Sequence, residues 1–270
     1  MEKIAYLGPE ATFSHMAAVS LYGRSASLYP ADTIEDVFEM VEKDICDLGV
    51  VPVENSYEGA VNITLDLFYK YDLRICAENY LRIRHNLLSR EEYDRDIKKI
   101  YSHPMALAQC RLWLRANMPD ISVAEVSSTS LAAAMAAKEP GVAAIGSKDL
   151  SRIYGLRVLE ENIEDHPDNM TRFVSIGRRH SPPTGRDKTS LLFFLSDRPG
   201  ALYKALGALA ERGINMTKIE SRPMRTRSWE YLFFTDIEGH EEDDRIGEAL
   251  RDMEKECALL KRLGSYPKGG

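Results

Sequence analysis

The sequence predicts an α/β protein in two parts, and three observations support this prediction. Between residues 3 and 177, apolar runs typical of strands alternate with apolar residues at helical spacing. Polar loops follow the carboxyl ends of the predicted strands. The segment GRRHSPPTGRD, residues 177–187, is rich in proline, glycine and basic residues and marks a linker. We therefore expect a larger α/β domain, a linker and a smaller second domain.

Length and composition limit the classes of function. The chain has 270 residues, enough for two domains, and its formal charge of -7 argues against nucleic acid or an anionic membrane as a partner. No run approaches the roughly 20 apolar residues of a membrane span, and MEKIAYLGPE lacks the features of a secretion signal. The four cysteines are widely spaced, which favours reduced thiols over a zinc site. We expect a cytoplasmic protein that binds a small molecule.

The elements of the first domain follow in order. KIAYLGPEATFSHMAA predicts a strand, a loop and a helix, and DTIEDVFEMVEKDICDLGVVPVENS predicts a helix capped by Asp32 or Thr33, then a strand. LRICAENYLRIRHNLL predicts strands, and KKIYSHPMALAQCRLWLRAN predicts a strand, a loop and a helix. AEVSSTSLAAAMAAKEPGVAAIGSKDLSRIYGL adds a strand, a loop, a helix and a strand. There is no G-x-G-x-x-G or P-loop sequence to support nucleotide binding.

The second domain has a different order of elements. From Lys188 onward the pattern predicts strand, helix, two strands, helix and strand, which is the ferredoxin-like βαββαβ unit. Such a small unit leaves one face of its sheet without cover. We therefore expect this half to pair with a second copy.

Hydroxyl and amide side chains are concentrated in the loops after the predicted strands. Several precede helices, whose free N–H groups and partial positive charge favour a bound carboxylate. Each residue taken alone is better explained as a helix cap, as for Ser102 ahead of Pro104. Because such loops recur at several strand ends, we predict an anion-binding cleft there. The candidates are Thr12, Ser14, Asn55, Ser56, Ser102, Gln109, Ser127, Ser128, Thr129 and Ser130.

Glu54 and Asn55 are the most chemically suggestive pair. A carboxyl group in a cleft can donate a proton while a neighbouring amide orients the substrate, although Glu54 alone is also consistent with a solvated loop acid. His15 and His103 lie near helix starts, where histidine is usually structural, and we assign neither a catalytic role. No G-x-S-x-G elbow supports a serine nucleophile.

DNMTRFVSIG, residues 168–177, places Thr171 and Arg172 directly before an apolar strand. In a structural interpretation, Thr171 favours the strand, Arg172 forms an ion pair and Phe173 enters the core. In a functional interpretation, the hydroxyl and the guanidinium lie in the predicted cleft. The residues alone support both interpretations equally.

Six motifs, in order, resemble those of the prephenate dehydratase family: AYLGPEATFSHMAA, GVVPVENSYEGAV, YSHPMALAQC, SSTSLAAAMA, AAIGS and NMTRFV. RPGAL and ESRP in the second half are similar to the ACT regulatory domain that follows in that family. The resemblance implies a catalytic domain at 1–180 built like a type 2 periplasmic binding protein, with one lobe at about 1–76 and 157–180, the other at about 77–156, and an ACT domain at 188–266. No room precedes Lys3 for the chorismate mutase domain of fused relatives, so we expect a monofunctional enzyme.

The family converts prephenate to phenylpyruvate, water and carbon dioxide on the route to phenylalanine, and the resemblance implies no metal or organic cofactor. It implies that Thr171 assists loss of the ring hydroxyl, with Glu54 and Asn55 as further catalytic residues. The expected substrate-binding residues are Thr12, Ser56, Ser102, Gln109, Thr129, Arg172 and Phe173. Some relatives carry an acid just before the S-T-S triplet, where this chain has Ser127, so a catalytic role for Glu125 lacks support.

In the ACT half, the resemblance implies an L-phenylalanine site between two such domains, and hence a feedback-inhibited homodimer or homotetramer. A turn at Pro199-Gly200 lets backbone N–H groups approach a carboxylate, and Asn215 and Glu220 are suited to an ammonium group. The alternative is that these residues only turn the chain and end a strand. The expected site residues are Gly200, Ala201, Leu202, Asn215, Glu220 and Ser221.

Two other functions remain open at this point. Arogenate dehydratase performs the same elimination on the amino analogue of prephenate. A non-catalytic amino-acid sensor would use the cleft and the ACT domain for ligand detection alone. Thr171 argues against the sensor, because a protein that only binds has little need for a proton-donating group in its cleft.

Overall fold

The structure is a computed structural model that describes residues 1–23, 25–196, 198–223 and 231–269. Its strands form three sheets. Two of them are the centres of two α/β lobes, and the third belongs to a C-terminal βαββαβ domain. The predicted fold class, a two-lobed α/β catalytic domain followed by a ferredoxin-like domain, is therefore confirmed.

The strands are β1 Lys3–Leu7, β2 Ser27–Ala31, β3 Leu48–Asn55, β4 Gly59–Ala60, β5 Arg74–Arg82, β6 Asn86–Ser89, β7 Lys99–Ser102, β8 Ser122–Glu125, β9 Val142–Gly146, β10 Arg157–Glu160, β11 Met170–Gly177, β12 Asp187–Leu195, β13 Met216–Pro223, β14 Tyr231–Glu238 and β15 Cys257–Pro267. The helices are α1 Phe13–Tyr22, α2 Ile34–Glu42, α3 Asn62–Lys70, α4 Pro104–Gln109, α5 Arg111–Asn117, α6 Thr129–Ala136, α7 Asp149–Tyr154, α8 Ala201–Ala210 and α9 Asp244–Glu256. In the described ranges, none of these helices has the length and apolar character needed to cross a membrane.

The sheet of the first lobe has the strand order β2-β1-β3-β11-β5, with β4 beside β3. The late strand β11 lies antiparallel to both β3 and β5. Its apolar run is buried from Phe173 onward, as a central strand requires. This pairing places Thr171 directly opposite Asn55, although the two residues are far apart in sequence.

The sheet of the second lobe has the order β10-β6-β9-β7-β8. The chain enters this lobe between β5 and β6 and leaves it between β10 and β11, so two connections join the lobes. The expected lobe boundaries need correction. Residues 77–82 extend β5 along β11 in the first lobe, and 157–160 form β10, which pairs with β6 in the second lobe.

The helix starts follow the predicted capping chemistry with one exception. The Thr33 side chain accepts from the N–H of Asp36 in a capping box, and the Ser128 side chain accepts from the N–H of Leu131 at 3.0 Å. The exception is α4, where His103 caps the helix in place of Ser102. Ser102 ends the buried strand β7, and its hydroxyl donates to the carbonyl of Ile145 at 2.6 Å.

The sheet of the C-terminal domain has the order β13-β14-β12-β15, and helices α8 and α9 cover one face. Alternation along β12 directs Leu191 and Phe193 to the helices and Leu192 and Phe194 to the other face. That other face packs on the first lobe of the same chain. This face is therefore covered within the chain, and pairing with a second copy stays a prediction. Among the described residues, β13 is an edge strand of this sheet.

Gly264 allows the two domains to approach closely. It has a φ of +130°, and a Cβ at this position would lie 2.4 Å from the carbonyl oxygen of Ile75 in β5. Strand β15 therefore rests directly against the edge strand of the catalytic sheet.

Candidate active site

The candidate active site is a cleft of about 320 Å³ between the two lobes. Helix starts and strand ends from both lobes meet there. Among the residues expected at a site, the structure brings together Thr12, Ser14, Asn55, Gln109, Ser127, Ser128, Thr129 and Thr171. A larger cavity of about 600 Å³ lies beside α1 and α7. We favour the cleft because its polar groups converge from the carboxyl ends of strands.

Asn55 and Thr171 form a hydrogen-bonded pair at the wall of the cleft. The Asn55 side chain is 7% exposed, and its Nδ2 donates to Thr171 Oγ1 at 2.9 Å and to Asn169 Oδ1 at 2.7 Å. Its Oδ1 accepts from the backbone N–H groups of Tyr57 at 3.0 Å and Glu58 at 3.1 Å. These partners fix the orientation of the amide. Thr171 Oγ1 thus already accepts a hydrogen bond, which leaves its own proton to be donated to a ligand.

Helix N-termini from both lobes face the cleft, and the start of α4 lines it as well. Phe13 and Ser14 open α1, and Thr129 opens α6. The Thr12 side chain caps α1 by accepting from the N–H of His15 at 3.3 Å. Among the described residues that line the cleft there is no lysine or arginine. Recognition of an anion here depends on helix N-termini, hydroxyls and amides.

Gln109 connects the two sides of the cleft. Its Nε2 donates to Glu58 Oε1 at 2.9 Å, and its Oε1 lies 2.8 Å from His85 Nε2. His85 is 2% exposed, and this burial lowers its pKa below the ordinary value, although Gln109, Glu164 and Glu58 favour the charged form. The neutral imidazole is therefore the form present near neutral pH.

Glu54 and Arg172 do not lie in the cleft, contrary to the expectation from sequence. They are cross-strand neighbours, one residue away from the Asn55–Thr171 pair. Because side chains alternate between the faces of a strand, both point to the C-terminal domain. The Glu54 carboxylate pairs with Lys218 of β13 at 2.7 Å.

Arg172 is the centre of a buried network between the two domains. Its guanidinium donates to Glu78 at 2.8 Å, to Asp236 at 2.5 Å and to the hydroxyl of Tyr266 at 2.8 Å. Lys188 is the second cation of the network. Its Nζ lies 2.8 Å from Glu78 Oε1, so two cations balance the carboxylates of Glu78 and Asp236. Burial opposes the charge of Arg172, but its three partners raise its pKa above the ordinary value. This network joins the domains and leaves Arg172 no contact with the cleft.

Three other expected substrate-binding residues also lie away from the cleft. Ser102 is fully buried in the second sheet, as described above. Phe173 is 2% exposed and packs in the core of the first lobe with Ile4 and Val50. Ser56 is exposed, and its hydroxyl accepts from the N–H of Met170 at 3.0 Å. Each of these side chains supports the fold around the cleft.

The expected effector residues lie on two elements of the C-terminal domain. Gly200 adopts a φ of +80° immediately before α8, Ala201 is buried, and Leu202 packs against the helix side of the sheet. On β13, alternation turns Glu220 to the face that meets the catalytic domain and exposes Ser221. Asn215 is exposed, and its Nδ2 donates to Glu238 at 3.1 Å.

Sequence reasoning missed Glu58, His85 and Asn169. Glu58 brings a carboxylate to the cleft and His85 brings a ring nitrogen. Asn169 is a buried residue whose side-chain oxygen accepts from Asn55. Two signals were present in the sequence. Glu58 lies in the same polar loop as Asn55, and Asn169 is two residues from Thr171, which by alternation puts both on one face of an extended segment. His85 lies between Arg84 and Asn86, and no spacing pattern related it to the polar loops.

In the described part of the chain, no three histidine, cysteine, aspartate or glutamate side chains come together as metal ligands. Cys46 and Cys110 are buried, Cys76 and Cys257 are half-buried, and all four are free thiols. Burial raises the pKa of Cys76 to about 11. The polar side chains that line the cleft carry hydroxyl, amide, imidazole and carboxylate groups.

Family models and several relatives identify the family to which the chain is similar. The family model described as prephenate dehydratase matches residues 4–181, and the ACT domain model matches 189–255. A bifunctional chorismate mutase/prephenate dehydratase of Aquifex aeolicus is 49% identical, covering 98% of this chain and 74% of its own. A prephenate dehydratase of Methanocaldococcus jannaschii is 39% identical, covering 98% of this chain and 97% of its own. The structure of prephenate dehydratase in complex with L-Phe from Arthrobacter aurescens is 36% identical, with a TM-score of 0.90 over 98% of this chain and 90% of that one.

Proposed function

The chain belongs to the prephenate dehydratase family, is a lyase and carries an ACT domain, and from this premise we propose that it converts prephenate to phenylpyruvate, water and carbon dioxide. This reaction removes a ring hydroxyl and a ring carboxylate together. Aromatisation of the ring provides the driving force. The enzyme must hold two carboxylates apart and supply a hydrogen bond to the departing hydroxyl.

The observation that carries this proposal is the Asn55–Thr171 hydrogen bond at 2.9 Å. Because Asn55 Nδ2 donates to Thr171 Oγ1, the threonine proton is directed to a ligand in the cleft. A threonine hydroxyl is too weak an acid to give up its proton alone. As a hydrogen-bond donor in a site shielded from water, it stabilises negative charge that develops on the leaving oxygen.

The two carboxylates of prephenate match helix N-termini that face the cleft from opposite lobes. The start of α1 belongs to the first lobe and the start of α6 to the second, so the two lobes offer separate positions for anions. Binding one carboxylate in each lobe would orient the ring across the cleft and close the lobes around it. Gln109 adds an amide donor from the second lobe.

We further propose that L-phenylalanine inhibits the enzyme at the ACT domain. The relative from Arthrobacter aurescens was described in complex with L-Phe, which supports phenylalanine as the ligand of this domain. Gly200, with its φ of +80°, opens the N-terminus of α8 to a carboxylate. Inhibition is then a population shift, in which phenylalanine favours a domain arrangement that is unsuited to catalysis.

A homodimer or homotetramer in the cytoplasm completes the proposal. Strand β13 is an edge of the ACT sheet, and Ile219 on it is 41% exposed. An edge strand with exposed apolar side chains is suited to pairing with a second copy. The expected effector residues Glu220 and Ser221 lie on this same edge, so a second copy would contribute to the phenylalanine site.

The test is the formation of phenylpyruvate from prephenate by the purified protein and two variants. Thr171→Ala should lower turnover by about 100-fold or more, as for loss of one transition-state donor. Thr171→Ser retains the hydroxyl and should keep most of the activity. L-Phenylalanine should inhibit the wild type. If the folded wild type turns over arogenate and leaves prephenate unchanged, the substrate assignment is wrong; if it turns over neither, the cleft is a binding site only.

A further inference from the structure

Three side chains form a hydrogen-bond chain across the cleft. Glu58 follows β3 in the first lobe, Gln109 ends α4 in the second lobe, and His85 lies in the connection between them. Gln109 Nε2 is 2.9 Å from Glu58 Oε1, and Gln109 Oε1 is 2.8 Å from His85 Nε2. Other hydrogen bonds also hold these residues in place. The backbone N–H of His85, for example, donates to the Glu164 carboxylate at 2.8 Å.

The donor and acceptor roles in this chain allow only one arrangement. An ionised carboxylate accepts hydrogen bonds and cannot donate, so Glu58 must face the NH₂ group of Gln109. The carbonyl oxygen of Gln109 then faces His85, which must present an N–H at Nε2. A neutral histidine has a single N–H, so Nδ1 is left as a bare acceptor. Within the described residues, His85 Nδ1 is indeed buried without a partner.

This arrangement fixes which group Gln109 presents to the cleft. One N–H of its NH₂ group is used by Glu58, and the second makes no hydrogen bond to the residues that the structure describes. If the amide rotated by half a turn, its carbonyl oxygen would face the Glu58 carboxylate, and two acceptors would repel each other. The same rotation would present a carbonyl oxygen where a substrate carboxylate needs a donor.

Glu58 also acts on the second amide of the site. Its backbone N–H donates to Asn55 Oδ1 at 3.1 Å and so helps to turn Asn55 Nδ2 toward Thr171. A single residue therefore contacts both amides, one through its main chain and the other through its side chain. Among the described residues that line the cleft, Glu58 is the one carboxylate.

We propose that Glu58 is a positioning residue, which holds the Gln109 amide so that its free N–H donates to a carboxylate of the substrate. This inference rests on the proposed function, because it requires an anionic substrate in the cleft. Glu58 touches Gln109 and not the reacting atoms. Its carboxylate makes the donor orientation of Gln109 the favourable one, and neutral His85 accommodates that orientation as the tautomer with its N–H at Nε2.

The experiment measures kcat and KM for prephenate in a cycle of variants. Glu58→Gln keeps the size of the side chain but can face either end of the Gln109 amide, so it removes the constraint. It should lower kcat/KM by about 10- to 100-fold, the loss expected for one hydrogen bond to a charged group. Most of the change should appear in KM, because the carboxylate is bound before and during the reaction. Glu139→Gln, an exposed acid of the second lobe, is the matched control and should behave as the wild type.

The second half of the cycle repeats Glu58→Gln in a Gln109→Met background. If Glu58 acts through Gln109, the substitution should then change kcat/KM by less than about twofold, since there is no amide left to orient. An equal loss in both backgrounds, or no loss in the wild-type background, would overturn the proposal while leaving the enzyme assignment intact. Absence of prephenate turnover by the folded wild type would instead remove the proposed function, and this inference with it.

Discussion

Thr171 and Arg172 are consecutive residues of β11 whose side chains leave the strand on opposite faces. Thr171 Oγ1 accepts from Asn55 in the cleft at 2.9 Å, and the Arg172 guanidinium donates to Asp236 of the C-terminal domain at 2.5 Å. The paired strand β3 repeats this alternation with Asn55 and Glu54. Of two neighbouring cross-strand pairs, one therefore lies in the cleft and the other forms the domain contact. A shift of the C-terminal domain has only a short distance to reach the Asn55–Thr171 pair.

Replacing Asn55 by aspartate should abolish most of the turnover. The new carboxylate accepts hydrogen bonds only, so the Thr171 hydroxyl would donate to it and no longer to the substrate. We expect kcat to fall by about 100-fold, as for loss of a transition-state donor, measured as phenylpyruvate formation. Asn117→Asp, at an exposed position that ends α5, is the control. Turnover within a few-fold of the wild type would show that Thr171 does not need this orientation.

Removing Arg172 should strongly destabilise the fold. Arg172→Leu leaves Asp236 buried without its cationic partner, while Lys188 still compensates Glu78. Breaking a buried pair in this way costs about 3–5 kcal/mol of the free energy of unfolding. Urea unfolding at neutral pH measures the change. Arg157→Leu removes an exposed pair with Glu92 and should cost less than about 1 kcal/mol. A similar small loss for both variants would contradict the role assigned to the network.

Lys218 should be needed for inhibition by phenylalanine more than for catalysis. Its Nζ lies 2.7 Å from Glu54, next to Asn55, and it precedes the expected effector residues Glu220 and Ser221 on β13. Lys218→Met removes this contact between the domains. Coupling between sites is typically 5- to 150-fold in affinity, so we expect the phenylalanine concentration for half-inhibition to rise by about fivefold or more.

The readout for Lys218→Met is the inhibition curve at a fixed prephenate concentration, with turnover in the absence of phenylalanine measured in parallel. Lys255→Met, an exposed position on α9 paired with Asp252, is the control. An unchanged inhibition curve would show that coupling runs through other contacts. A large loss of basal turnover would show that the Glu54 pair supports the cleft itself.

The sequence predicted features that depend on neighbouring residues better than features that depend on contacts between residues far apart in the chain. Periodicity and capping chemistry predicted many of the elements, because the spacing of apolar residues and caps such as Thr33 and Ser128 are local properties. The strand Ser27–Ala31 and the helix Asn62–Lys70 were not predicted. Motif resemblance identified the family. The lobe boundaries were wrong because the register of β5 on β11 and of β10 on β6 depends on residues far apart in the chain.

The candidate site shows the same division. Side chains alternate along β3 and β11, so Asn55 and Thr171 face the cleft while Glu54 and Arg172 face away from it. The sequence shows this alternation but does not show which face of the strands lines the cleft. The partners of Glu54 and Arg172 lie in the C-terminal domain, which no local pattern relates to these strands. His85 was missed for a similar reason, because its partner Gln109 lies on helix α4, which no local pattern relates to His85.

His85 should make the protein less stable at mildly acidic pH. Burial lowers the pKa of His85 in the folded state, while the unfolded chain protonates near the ordinary value of 6.5. Below pH 6.5 the unfolded state therefore binds more protons than the folded state. The contribution of neutral His85 to the free energy of unfolding, fully present above pH 6.5, is lost as the pH falls.

Urea unfolding at pH 7.5 and pH 5.5, both on the order of one unit from the ordinary pKa of histidine, measures this loss of stability. His85→Gln can still donate to Gln109 but does not titrate, so the variant should lose less stability between the two pH values than the wild type. His15, whose pKa is also lowered by burial, is present in both proteins and cancels in this comparison. Equal losses would mean that protonation of His85 is accommodated by Glu164 and Glu58, and that the buried imidazole is not held in its neutral form.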